Sequence, residues 1–78
     1  MSRDEVATLV QQVLKEGPFA MRQLAEDAGV SYGVLRGWAI GRRTPTPENL
    51  RKLAHGFERR AGHLQNIAEE LRRAAEAE

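Results

Sequence analysis

Val6, Leu9, Val10, Val13 and Leu14 recur at i, i+3, i+4, i+7 and i+8, the stripe of an α-helix that buries one face. Ser2 and Glu5 stand at capping-box spacing ahead of the stripe, and Gly17 with Pro18 stops it. A second, shorter helix is predicted from about Ala20 to Ala28. Met21, Leu24, Ala25 and Ala28 face inward on it, and Arg22, Gln23, Glu26 and Asp27 outward. Gly29 ends it in the left-handed conformation that most side chains resist. Ser31 then caps a third helix whose inner face carries Val34, Leu35 and Trp38, and which closes at Gly41. Thr46 followed by Pro47 is a fresh start, a threonine cap with proline at the first helical position. From there Leu50, Leu53, Phe57, Leu64, Ile67, Leu71 and Ala74 keep a spacing of three and four, with Arg60 as the polar interruption. No capping residue follows Gly62, so one long helix to about Ala75 is expected rather than two bent there. No stretch alternates with the period of a strand, and the expected fold class is all-α, with four to five helices and an extended C-terminal one.

Chain length narrows the function. In 78 residues there is room for one compact domain and little surplus for an enclosed catalytic cleft. The chain has no cysteine, which removes thiolate metal cages and thiol nucleophiles and suits a reducing, cytoplasmic setting. His55 and His63 have no third ligand to complete a metal site, and Ser2 and Ser31 have no acid–base partners. No enzymatic activity, metal or cofactor is expected. Nor does any run of apolar residues reach membrane-spanning length, and the amphipathic start is unlike a signal peptide.

The net charge of +1 conceals an uneven placement. Between Ser31 and Arg60 seven basic residues face only Glu48 and Glu58, a local balance of +5 that leaves −4 for the rest of the chain. Ten of the twelve basic residues are arginine, whose planar fork matches phosphate oxygens and guanine edges. Two short helices joined through a glycine, with this charge around the second, have the layout of a helix-turn-helix.

Residue spacing then makes the match specific. Leu24-Ala25, Gly29-Val30-Ser31, Leu35, Trp38, Gly41, Pro45, Leu50, Leu53-Ala54 and Phe57 follow one another without a gap. This pattern, from about Phe19 to Phe57, resembles the Cro and phage-repressor-like (XRE) family of bacterial and phage regulators. The resemblance implies a helix-turn-helix core at about 20–41 and double-stranded DNA as the partner; with the helical spacing of the remaining chain it divides the sequence into a DNA-binding unit at 1–61 and a C-terminal helical extension at 62–78. It places base-reading positions at Tyr32, Gly33, Arg36 and Gly37. Among these only Tyr32 and Arg36 carry groups that reach a base edge, and Arg36 suits the O6 and N7 of guanine. Phosphate contacts are expected from Arg22, Gln23, Ser31, Arg42, Arg43, Thr44 and Thr46, the last four on a basic loop stiffened by Pro45. The pattern departs from the family at Met21, Gly37 and Ala39, where polar or charged residues are usual.

Beyond Phe57 the chain leaves the family pattern. Leu64, Ile67, Ala68, Leu71 and Ala75 form an apolar stripe that needs burial, either over Val6, Leu9, Val10 and Val13 of its own chain or against another chain. Pairing two identical chains suits a half-site reader, and the expected function is a homodimeric, sequence-specific repressor. The competing reading is a protein-interaction module, an antitoxin-like neutraliser or phage adaptor that engages a different protein through the C-terminal helix. Such a module has no need of the Arg42-Arg43 pair.

Overall fold

The computed structural model describes residues 1–17 and 19–77, in which four helices follow one another: α1 (Arg3–Glu16), α2 (Met21–Ala28), α3 (Tyr32–Ala39) and α4 (Pro47–Ala77). No strand is present among the described residues. Each helix starts and stops for a local reason. Ser2 Oγ accepts the Glu5 N–H and Glu5 Oε1 accepts the Ser2 N–H, both at 3.2 Å, closing the capping box of α1. Those hydrogen bonds from Ser2 hold the Glu5 carboxyl below the usual glutamate range. Gly17 ends α1 as expected, while Pro18 lies outside the described residues. Gly29 (φ 72°) closes α2 and Gly41 (φ 78°) turns the chain after α3, conformations that a side chain resists. Thr46 Oγ1 accepts the Asn49 N–H at 3.2 Å and starts α4.

Val10 and Leu14 of α1, Leu24, Ala25 and Ala28 of α2, Leu35 and Trp38 of α3 and Leu53 of α4 form the core. Phe19 and Phe57 seal one edge of it with rings 5.1 Å apart, edge to face. Gly56 permits the closest helix approach. A Cβ there would lie 2.9 Å from the Cα, Cβ and N of Ala28, so α2 and α4 touch backbone to backbone at this point.

The long helix runs through Gly62 without a break, as the missing cap predicts. Its second half does not fold back. Leu64, Ile67 and Leu71 are exposed, so within one chain the stripe covers none of Val6, Leu9, Val10 or Val13, and the molecule extends to 52 Å along its major axis. Leu9 and Val13, expected in the core, are correspondingly 46% and 39% exposed. The polar interruption at Arg60 is also explained. Its guanidinium donates from Nε to Asp27 Oδ2 at 3.1 Å, and its Nη2 lies 3.1 Å from the same oxygen. Asp27, expected to face outward, is therefore half-buried under α4, where it fastens the start of the protruding segment to the helix-turn-helix.

Candidate nucleic-acid interface

α3 carries the candidate reading surface because its inner side is fully committed. Leu35 and Trp38 are buried, which leaves Gly33, Arg36 and Ile40 on the open side. Ser31 Oγ accepts the Val34 N–H at 3.2 Å, so the hydroxyl that starts the helix keeps its own proton to donate outward. Tyr32 is half-buried, and the Arg22 guanidinium lies over its ring at 4.3 Å from the centroid. That cation–π contact joins the starts of α2 and α3 into one surface.

The loop after α3 folds back onto the helix rather than running away from it. The N–H groups of Arg42 and Arg43 both donate to the Gly37 carbonyl, at 2.9 and 3.2 Å. The Arg43 stem then lies across Gly37, its Cδ 3.6 Å from where a Cβ would stand. Gly37 is consequently buried. The expectation of an outward Gly37 is corrected here, because the basic loop occupies the space in front of it. The same fold-back brings Arg36, Arg42 and Arg43 together with Ser31 and Gly33 around one recess of about 390 Å³, with no acidic residue in its lining. Three permanently charged guanidiniums around a shallow depression produce a concentrated positive field that suits a phosphate backbone.

Gln23 does not join this group. Its Nε2 donates to Asp27 Oδ1 at 3.3 Å, and it lines a recess with Phe57, Arg60 and Leu64 on the α4 side. Thr44 and Thr46 stand on the basic loop, the former half-buried and the latter engaged as the α4 cap. His55 and His63 are exposed, and no cluster of metal-ligating residues occurs among the described residues.

Sequence reasoning missed Arg3. Its Nη1 donates to the Pro45 carbonyl at 2.9 Å and its Nη2 to the Thr44 carbonyl at 3.1 Å, so the start of α1 clamps the far end of the basic loop. The partners are more than forty residues apart in sequence, and no local pattern signals such a contact. Arg3→Met, which keeps the stem and removes both hydrogen bonds, is expected to cost about 1 kcal/mol of stability for so exposed a group. It should also weaken DNA binding while leaving the salt slope unchanged, because Arg3 holds the loop without touching phosphate. Thermal melts and salt-titrated binding check both parts; a slope shallower by nearly one unit would make Arg3 a phosphate contact instead.

A family model described as "Helix-turn-helix" matches residues 10–64. No curated protein and no solved structure matches the chain. The matched span takes in all of α2, α3 and the basic loop and stops at Leu64, where the exposed stripe begins.

Proposed function

The chain belongs to the Cro and phage-repressor-like (XRE) helix-turn-helix family and is a DNA-binding transcription regulator of that type; we propose that it acts as a homodimeric, cytoplasmic repressor that reads a specific operator with α3. The observation that carries this reading is the recess that gathers Arg36, Arg42 and Arg43 on the open side of α3. Arg36 is the principal base reader in this proposal, entering the major groove with Gly33 beside it to let the backbone come close, and with Tyr32 at the groove edge. Arg42, Arg43, Arg22 and the hydroxyls of Ser31, Thr44 and Thr46 hold the flanking phosphates. Gly37 and Gln23 drop out, the first covered by Arg43 and the second turned toward α4. Residues 1–61 form the DNA-binding unit and the remainder of α4 is the extension through which copies pair. No described helix is long and apolar enough to cross a membrane.

Selection from random duplexes, run with the natural chain and with Arg36→Ala, tests the reading. A defined motif is expected for the natural chain, with loss of preference at one guanine in the variant, since a bidentate pair is worth about 1–3 kcal/mol of discrimination. Identical motifs from both would remove Arg36 from the reading role. Failure of the natural chain to enrich any duplex would favour the protein-interaction module instead.

A further inference from the structure

We propose that the groove between α1 and α4 is the seat of a second copy's α4, laid antiparallel, so that the apolar ridge of each chain fills the groove of the other. The inference takes from the proposed function only that two copies pair, and adds where and in which direction.

Two unfilled features occur side by side. The groove, about 640 Å³, is lined by Leu9, Val13, Phe19, Phe57, Ala61 and Leu64. Immediately beyond it the ridge begins, with Leu64 55%, Ile67 41% and Leu71 66% exposed. Together they place apolar side chains side by side in water along one face of the molecule, and contiguous exposed apolar surface is a mark of an interaction site.

The sequence of α4 states what kind of partner fits. Leu50, Phe57, Leu64 and Leu71 recur every seventh residue, and so do Ala54, Ala61, Ala68 and Ala75. A strict seven-residue repeat is the seam of paired helices, and the alanine row lets another helix approach at the short end of the 8–10 Å range. In the first half of α4 this seam is spent inside the chain, where Leu50, Leu53 and Phe57 pack on the core. The second half repeats the same chemistry with nothing against it.

Direction follows from the offset between groove and ridge. The groove lies along residues 57–64 of α4 and the ridge along 64–75. Parallel pairing sets ridge against ridge, leaves both grooves open and brings Arg60 beside its own copy. Antiparallel pairing with the two-fold axis between Gln65 and Asn66 sets Leu64 against Ile67 of the other copy and Leu71 on the stem of Arg60 in the groove, whose guanidinium is drawn aside to Asp27. In that register Ala61 meets Ala68, the donor His63 meets the acceptor Glu70 on the flank, and Arg72 approaches the groove rim where Glu16 stands. Every one of these pairs occurs twice, which makes the surface self-complementary. The Gly56 contacts that hold each helix-turn-helix then lie about 28 Å apart along the helix axis at 1.5 Å per residue, of the same order as one turn of DNA.

The test needs no DNA, so its outcome is independent of the operator reading. Sedimentation equilibrium of the full chain is expected to show a dimer at micromolar concentration. Leu71→Glu should raise the dissociation constant about 100-fold or more with helicity unchanged, because Leu71 is exposed in the single chain. Ala61→Gln, a good helix former that obstructs the alanine row, gives the same readout should Leu71→Glu lose helicity. A nitroxide at Lys52→Cys, on an exposed position, should report about 40 Å between copies, against less than about 20 Å for parallel helices. A chain that stays monomeric at concentrations on the order of 100 µM, a dimer that tolerates both substitutions, or the short distance would each overturn the proposal.

Discussion

Gly56→Ala and Gly62→Ala, the same substitution six residues apart on one helix, are expected to shift stability in opposite directions. Either alanine gains about 1 kcal/mol of helix propensity over glycine. At Gly62 the added methyl meets nothing within 4 Å, so the gain should appear as a melting temperature a few degrees higher. At Gly56 the methyl would lie 2.9 Å from the Cα and N of Ala28. Those are backbone atoms of α2, and they cannot swing aside as a flexible side chain would. Parting α2 from α4 disturbs Leu24, Ala25, Leu53 and the Asp27–Arg60 pair together. Overpacking costs about 1–3 kcal/mol; an obstacle made of backbone puts Gly56→Ala in the upper half of that range, for a net loss of about 1–2. For a domain of this size that lowers the melting temperature by roughly 5–15 °C. Thermal denaturation followed by circular dichroism, at one protein concentration, checks the pair. A rise for both variants would mean that the two helices do not approach as closely as the structure has them.

Removing the charge of the basic loop should weaken binding to every duplex alike. Arg42→Gln combined with Arg43→Gln keeps part of each stem, including the portion of Arg43 that covers Gly37, and deletes two guanidiniums from the recess beside Arg36. Giving up the hold on one phosphate makes the log–log salt slope shallower by about 0.9 on duplex DNA, so the double variant should have a slope shallower by about 1.8. The order of preference among duplexes should stay as it was, since phosphates carry no sequence information. Lys15→Gln with Arg73→Gln supplies the comparison, because it removes the same net charge from the end of α1 and the protruding end of α4. Equal slopes for both double variants would reduce the effect to net charge and take the loop off the DNA backbone.

The sequence by itself determined every feature that depends on neighbours along the chain. The helix order, the caps at Ser2, Ser31 and Thr46, the positive-φ glycine at 29, the stop at Gly41 and the unbroken α4 are all of this kind. A helical period and a cap involve residues three or four apart, and so they are written locally. The helix-turn-helix family was legible for the same reason, its marks falling at fixed short spacings from Leu24 to Phe57. Only the tertiary structure decided which outward-looking residues are free. Asp27 and Gly37 lie on faces that a helical projection leaves open, but Arg60 and Arg43 close them from more distant parts of the fold. Arg3 acquires its place from carbonyls on a loop that folds back across the chain. The exposed half of α4 marks the same boundary from the other side. Its periodicity states in sequence that Leu64, Ile67 and Leu71 need a partner, while the straight run of α4 carries them past the open Leu9–Val13 side of their own chain. Periodicity records which face of a helix is apolar; what covers that face depends on distances between segments remote in sequence, and those exist only once the chain has folded.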